Sequence, residues 1–451
     1  MNQFKTFLEA ENYLISKIPQ NYNSKYQGNW GLDRLKYFLK LLDNPQEKIK
    51  VIHIAGTSGK GSTSYLISHL LISLGKTTGL YQSPHIVNLR ERFQINNKLV
   101  SEQKFINYLN KLIPIIEKTE KSDFGELSFF EITTALAFDI FYQDKLDYAV
   151  IETGLGGLFD ATNAVNNPNK LSVITRIGLD HTDILGDTID KIAVQKAGII
   201  QQKNLVITVL QQPKAQKIIQ NTVTLKSAHL YTIEPLKNYK IIESNLEHTL
   251  FNFNFLDQQL NNLSLSMIGD YQIENASLAL VAVIILSNRD KFLFHENKIR
   301  QALNSALFIG RFEIYKLKNK ILIVDGAHNP QKMESLVSSL KKIFPNTKFE
   351  FLTNFVKGKD STKMLKTITP LAAKIIITEF AVVQHGQHNS ESADFLTQQL
   401  DQLNFNNYQV IKNPNQALKS IINDSQKKVV ITGSLYLISA IYPKLSKLKN
   451  D

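Results

Sequence analysis

The sequence predicts an α/β protein in two parts: a larger P-loop-containing parallel-sheet domain over residues 1–306 and a smaller Rossmann-like α/β domain over residues 307–451. Three observations carry this. Short β-rich runs alternate with helical patterns over most of the chain, which places helices on the faces of parallel sheets. A glycine-rich segment, "HIAGTSGKGSTSYL", joins a hydrophobic run to a helical one. A second β-α series starts near Leu307, just before "IGRFEIYK".

The strands expected in the first part are "KVIHIAG", "DYAVIET", "LSVITRI" and "LVITVL", with a further strand before "YQSPH". In the second part they are "ILIVDG", "FEFLTN", "KIIITEF" and "KVVITG". Each is a short apolar run bounded by turn residues, as buried parallel strands require. "TSYLISHLLISLG" reads as an amphipathic helix closed by Gly75. From about Tyr239 to Met267 the texture changes, and "YKIIESNLEHTLFNFNF" reads as antiparallel strands. The helix that follows, "DYQIENASLALVAVIILS", is too continuously apolar for a surface helix and should be largely buried. "IITGSLYLISAIYP" supplies the last strand, turn and helix, and no internal repeat interrupts the series.

At 451 residues the chain exceeds one ordinary core. Its 43% hydrophobic and 20% charged residues are those of a globular protein. The formal charge of +12 suits an anionic ligand. The lysines are scattered, with no basic tail or interleaved aromatic stripe, so the expectation is no nucleic-acid partner. The absence of cysteine excludes disulfides, thiolate zinc sites and cysteine nucleophiles. "MNQFKTFLEAENYLISKIP" carries charges throughout and does not read as a signal peptide. No run reaches the apolar length of a membrane span, so a cytoplasmic monomer without membrane contact is expected.

Strand, glycine loop and helix start together turn backbone N–H groups and the helix dipole toward an anion. The residues are Gly56, Thr57, Ser58, Gly59, Lys60, Gly61 and Ser62. The usual pattern has a glycine where Ile54 stands and a hydroxyl directly after the lysine, where this chain has Gly61. Ser62 supplies that hydroxyl one residue later, with Thr63 and Thr57 near, and Lys60 is a compact cation for phosphate oxygens. Such a loop names no reaction by itself.

Downstream, Ser83 and His85 follow a strand, at the edge where α/β sheets present ligands; an ordinary turn is the alternative. "DYAVIETGLGGLFDATN" runs a strand straight into Glu152, a position from which a carboxylate can hold magnesium or cap the following loop. Gly154, Gly156 and Gly157 let the backbone bend tightly there. "LSVITRIGLDHTDILGDT" delivers Asp180, His181, Thr182 and Asp183 to the same edge, making His181 a candidate ligand. "IDKIAVQKAGII" is a helix carrying Lys196 and ended by Gly198; residue chemistry alone would put that lysine in solvent.

In order, "HIAGTSGKGST", "SPHIVNLRERFQI", "ETGLGGLFDATN", "GLDHTDILG", "QKAGI", "GRFE" and "DGAHNP" closely resemble the folylpolyglutamate synthase and dihydrofolate synthase family, of the Mur ligase superfamily of ATP-dependent amide-forming ligases. The resemblance runs from "GLDRLKYFLKLLDNP" to the last β-α unit. It implies that the first domain is an ATPase with a folate site and the second a glutamate-ligase domain. Gly59, Lys60, Gly61 and Ser62 match the ATP loop, and Ser83, Glu152 and His181 match magnesium ligands. Lys196 matches a lysine carried as a carbamate, an anion able to ligate a second magnesium. Asn275, Arg311, Asp325 and His328 match nucleotide contacts. Phe129, Phe130 and Glu131 belong to a segment bordering the pterin, with two core phenylalanines as the alternative, and Gly154, Gly156 and Asp160 complete the substrate loop. Three positions depart from the family's pattern: Ser58 replaces an asparagine, Leu158 an arginine and Gln195 a glutamate.

The implied cofactors are ATP, two magnesium ions, carbamylated Lys196 and a monovalent cation. The implied reaction joins L-glutamate to a folate-type carboxylate, or to dihydropteroate, through an acyl phosphate. Lys60, Glu152, His181 and Lys196 are its expected catalytic set. A dihydrofolate synthase acting on dihydropteroate alone is the nearest alternative. A cell-wall ligase is disfavoured because the phosphate loop already begins at Gly56, leaving no room for a preceding nucleotide-sugar domain. A basic nucleotide- or RNA-binding protein is the alternative of another class, marked by salt-dependent RNA binding without glutamate-dependent ATP turnover.

Overall fold

The computed structural model describes residues 3–19, 30–317, 319–384, 387–424 and 427–449. The chain forms two compact units, one from Met1–Lys240, Asn252–Leu263 and Glu274–Leu303, the other from Ile241–Phe251, Ser264–Ile273 and Asn304–Asp451.

The first unit is built on an eight-stranded sheet. Its strands are β1 (Lys50–Ala55), β2 (Thr78–Tyr81), β3 (Phe93–Ile95), β4 (Lys98–Leu99), β5 (Tyr148–Glu152), β6 (Leu171–Ile174), β7 (Leu205–Val209) and β8 (His229–Ile233), in the order β4-β3-β2-β5-β1-β6-β7-β8. The six strands from β2 to β8 in that order run parallel, while β3 and β4 pair antiparallel at one edge. β5 is buried at every position, because helices cover both faces of the sheet and alternation has no solvent side to report. One core cluster joins Val51 and Ile151 to Leu35, Phe38, Phe105, Phe138 and Phe141 from the helices Trp30–Leu41, Glu102–Glu120 and Phe129–Gln143. Another joins Ile174 and Val206 to Ile192 and Ile219 from Ile189–Ala197 and Pro213–Leu225.

The helix after the phosphate loop, Lys60–Ser73, corrects the amphipathic expectation. Ser62, Thr63, Ser64, Leu66, Ile67, Ser68, Leu70 and Leu71 are all buried, which is more than one stripe. Small hydroxyls make this tolerable: Ser64 donates to the Lys60 carbonyl at 2.8 Å, and the Ser68 and Thr78 hydroxyls lie 2.7 Å apart. The helix Asp270–Asp290 is buried as its composition requires. It corrects the expectation that no run reaches the apolar length of a membrane span: among the described residues it alone is long and apolar enough to cross one, and 83% of its apolar window is buried within the protein.

The strands β9 (Tyr239–Ser244), β10 (Thr249–Phe255) and β11 (Gln258–Leu265) form a three-stranded sheet. A six-stranded sheet follows from β12 (Glu313–Leu317), β13 (Lys320–Val324), β14 (Phe349–Thr353), β15 (Ala372–Ile377), β18 (Tyr408–Val410) and β19 (Lys428–Thr432), in the order β12-β13-β19-β14-β15-β18. A separate hairpin pairs β16 (Ala381–Val383) with β17 (Gln387–Asn389). β12 is antiparallel to β13 and the other ladders are parallel, so the second unit is the Rossmann-like α/β sheet expected, with one added antiparallel edge.

A buried ion pair fixes two helices of the first unit. Arg34 Nε donates to Glu131 Oε1 at 2.7 Å and its Nη2 to Oε2 at 2.8 Å, with the side chains 7% and 5% exposed. Glu131 also accepts the Ser128 amide at 2.8 Å, closing a capping box. Removing one partner strands a charge in the core. Arg34→Met should therefore lower stability by about 3 kcal/mol in a urea titration of the first unit; an unchanged midpoint would show the pair contributes nothing.

Candidate nucleotide and acceptor site

The phosphate loop leaves β1 at Ala55 and enters its helix at Lys60, with Gly59 in the left-handed region at φ 90°. A β-carbon on Gly59 would lie 2.2 Å from Asn275 Oδ1, and one on Gly56 would lie 1.8 Å from Thr175 Oγ1. Only glycine fits either position. The Thr57 and Ser58 amides both donate to the Arg176 carbonyl, at 2.9 and 3.2 Å, so these two do not face an anion as the sequence suggested. That leaves the first-turn amides of Lys60, Gly61 and Ser62, which have no acceptor within the helix. The Thr57 hydroxyl donates to the Gly178 carbonyl at 2.9 Å, and Ser62 is 2% exposed. Asn275 also meets the Thr63 hydroxyl at 3.4 Å.

Two partners of the loop were not read from the sequence. Gln82 Nε2 donates to the Gly61 carbonyl at 2.7 Å, and Arg176, whose carbonyl anchors the loop, is clamped through its guanidinium to Glu274. Both lie at the ends of strands, which was the available signal.

β2 and β5 are parallel neighbours, so Ser83 and Glu152 emerge together. The Ser83 amide lies 3.3 Å from Glu152 Oε2, and Glu152 is 6% exposed. His85 accepts from Arg92 Nε at 3.0 Å through Nδ1; burial, then the Arg92 charge, pushes its pKa down to about 2. It is a neutral ring held by a guanidinium.

The glycine loop after Glu152 packs on the helix carrying Lys196. The Leu158 amide donates to the Gln195 carbonyl at 2.7 Å, and Asn163 Nδ2 donates to the carbonyls of Leu158 and Gly198 at 3.1 and 3.0 Å. A β-carbon on Gly157 would meet the Gln195 carbonyl at 2.6 Å, and one on Gly156 would meet Leu185 at 3.0 Å. The two departures Leu158 and Gln195 thus touch through their backbones, while the Leu158 side chain packs against Gly198 and the Gln195 amide lies near Gly156. Asp160 is 8% exposed and holds the loop from within: its oxygens accept the amides of Leu155 at 2.7 Å and Thr162 at 3.0 Å. Burial raises its pKa, and these bonds oppose the rise. Lys196 is 4% exposed, a placement that favours a lysine whose charge is neutralised or removed. His181 sits in the left-handed region at φ 50° before the short helix Thr182–Leu185, its side chain 44% exposed and its amide on Asp180 Oδ1 at 3.0 Å.

The two phenylalanines divide. Phe129 is 1% exposed, in the core under the Arg92 guanidinium at 5.2 Å. Phe130 is part-buried and faces the glycine loop, since a β-carbon on Gly154 would strike its ring at 2.4 Å. Glu131, expected at the substrate, is held by Arg34 and its capping box.

Arg311, Asp325 and His328 belong to the second unit. Asp325, 5% exposed, accepts the Phe312 amide at 2.8 Å, the Ala327 amide at 2.9 Å and the Tyr271 hydroxyl at 3.0 Å, thereby fixing the turn that bears Arg311. Burial pushes its carboxyl up, against the Arg311 charge. His328 Nδ1 lies 2.7 Å from the Gly326 carbonyl, which can only accept, and Nε2 lies 2.9 Å from the Lys332 ammonium, which can only donate. The ring is therefore the neutral Nδ1–H tautomer.

Among the described residues no three His, Asp or Glu side chains form a metal-holding group. Magnesium needs no such group, since it keeps several waters and binds through one or two protein oxygens plus phosphate. The Ser83 hydroxyl and the Glu152 carboxylate are hard oxygen donors at one edge and fit it.

A native His85 that stays neutral costs stability in acid. With its folded pKa depressed, stability is full above the ordinary histidine pKa near 6.5 and is lost as pH falls, by about 1.4 kcal/mol per pH unit until the folded pKa is reached. His85→Gln should flatten the fall in urea midpoint below about pH 6.5 relative to the parent chain. Parallel curves would contradict the buried neutral ring.

Residues 54–283 match the Mur ligase middle domain, and residues 311–444 match the C-terminal domain of dihydrofolate synthetase. A Bacillus subtilis relative named dihydrofolate synthase/folylpolyglutamate synthase is 32% identical, over 98% of this chain and 100% of its own. The crystal structure of a folylpolyglutamate synthase from Thermotoga maritima superposes with a TM-score of 0.81 at 31% identity, covering 98% of this chain and 96% of that one. A solved FPGS complex with AMPPCP and folate superposes with a TM-score of 0.81 at 27% identity, covering 98% and 99%. The match runs along the whole length of the chain, and the chain belongs to the folylpolyglutamate synthase/dihydrofolate synthase family of ATP-dependent ligases.

Proposed function

We propose that the chain joins L-glutamate to the carboxylate of both dihydropteroate and reduced folates, driven by ATP and passing through an acyl phosphate. The observation that carries this is the single sheet edge at which the phosphate loop, Ser83 and Glu152 emerge, beside a glycine loop packed on the helix of Lys196. The dual naming of the Bacillus subtilis relative supports two acceptors, and the AMPPCP and folate of the solved relative support the ligand classes.

A carboxylate does not react with an amine until oxide is replaced by a better leaving group. Lys60 and the first-turn amides of its helix hold the triphosphate, and Asn275 braces the loop at Gly59. Ser83 and Glu152 would hold one magnesium, and His181 with a carbamylated Lys196 a second. Bound magnesium supplies the positive charge that lets two anions meet; two like charges ~4 Å apart repel by roughly 4 kcal/mol at an effective dielectric of 20. Phe130 and the loop from Gly154 to Asp160 border the acceptor, while Phe129 and Glu131 support them from the core. The γ-phosphoryl group passes to the acceptor carboxylate, the glutamate amine attacks, and phosphate leaves. Arg311 and His328 contact the nucleotide, Asp325 holds Arg311's turn, and glutamate is taken up by the second domain, residues 307–451.

With ATP, magnesium and labelled glutamate, label should enter product with either acceptor offered alone. Incorporation with neither would refute the reading, and incorporation with dihydropteroate only would reduce it to a dihydrofolate synthase. Lys196→Ala should abolish ligation, with partial rescue by added short carboxylic acids; unchanged turnover would show that a carbamate is not needed.

A further inference from the structure

His53 lies inside β1, just ahead of the phosphate loop, and the chemistry above gives it no part. It is 0% exposed, and burial, followed by the Lys170 charge, holds its pKa well below the histidine range. Its Nε2 lies 2.8 Å from the Thr162 hydroxyl and 3.0 Å from the Thr153 hydroxyl, while its Nδ1 has no hydrogen-bond partner.

The protons can be assigned. The Thr162 hydroxyl donates to Asp160 Oδ1, and the same carboxylate takes the Thr162 and Leu155 amides. With its own proton used, Thr162 can only accept from His53, so Nε2 carries the imidazole proton. Nδ1 is then a bare acceptor, and a buried acceptor without a partner is tolerated more readily than a buried N–H without one. Thr153 follows Glu152 directly, and its amide is fixed to the Ile54 carbonyl at 2.9 Å.

We infer that His53 is a positioning residue whose Nε2–H locks the loop of Thr153 to Thr162 to the first strand, and so sets the Glu152 strand tip against the Lys196 helix. One N–H reaches the residue beside Glu152 and, through Thr162 and Asp160, the loop that the Gln195 and Gly198 carbonyls hold on that helix. The phosphate loop's own ties, to Arg176 and Asn275, do not pass through His53. Loss of the N–H should therefore misplace Glu152 and the acceptor side while leaving magnesium-free nucleotide binding intact.

Gln and Asn separate the two ring nitrogens, since a Gln amide nitrogen falls near Nε2 and an Asn amide nitrogen near Nδ1. His53→Gln should keep kcat within ~5-fold, whereas His53→Asn and His53→Leu should lose on the order of 100-fold, the cost of a small misplacement at a reacting centre. ADP affinity measured without magnesium should hold within ~3-fold in all three. Equal loss in Gln and Asn, no loss in Leu, or ADP affinity falling in step with rate would overturn the inference. Imidazole nitrogen-15 NMR of the parent protein decides it if the variants do not fold: a protonated Nε2 and bare Nδ1, unchanged from roughly pH 5 to 8, is expected, and a protonated Nδ1 or a titrating ring would overturn it. The rate comparison rests on the proposed ligase reaction, while the NMR and ADP arms do not. Failure of the parent chain to ligate glutamate would thus count against that reaction, not against the tautomer.

Discussion

The site depends on the parallel pairing of β1 with its two neighbours. Ile54 stands opposite Glu152, Ala55 opposite Ile174, and Tyr81 of the next strand opposite Ile151. Because these strands share direction and register, their tips end together, and the phosphate loop, Glu152, Ser83 and the 175–178 segment open at one edge. No long side chain has to reach across the molecule. A slip of one residue would turn every side chain to the opposite face, and buried faces on both sides of the sheet resist that slip.

Close backbone contact then turns a shared edge into fixed geometry. Thr175 closes on Gly56, Asn275 on Gly59, Phe130 on Gly154 and the Gln195 carbonyl on Gly157, each at a distance that leaves no room for a β-carbon. These glycines are the points at which separate segments of the first unit are locked to the loops of the candidate site. Asp160 and Asp325 show the same logic in polar form. Each is a buried carboxylate whose oxygens accept backbone amides, so each holds the shape of a loop.

The parallel strands were legible because each is a short apolar run between turns, and all eight quoted runs became strands. β3, β4, β8, β18 and the β16–β17 hairpin were not, since short strands of a few half-polar residues at or next to a sheet edge carry no continuous apolar signal. The helix at Lys60–Ser73 looked amphipathic because serine and threonine count as polar, yet their small hydroxyls bond locally and pack inside. Motif order pointed to Glu152, Ser83 and Lys196. It did not show which motif residues support others: Glu131 pairs with Arg34 far away in sequence, and two loop amides go to the Arg176 carbonyl. Such partners are set by tertiary approach, which no local pattern encodes.

Charge completes the account. A chain of net charge +12 whose candidate site collects Lys60, helix-start amides and only a few carboxylates is suited to hold a triphosphate against an acid. The central claim is that this edge lets the acceptor acid take the γ-phosphoryl group. The direct test is to label the acceptor carboxylate with oxygen-18 and follow it during a single round of ligation. Phosphoryl transfer to that carboxylate requires one labelled oxygen in the inorganic phosphate released with each amide formed. Phosphate free of the label, with amide formed at the usual rate, would contradict it.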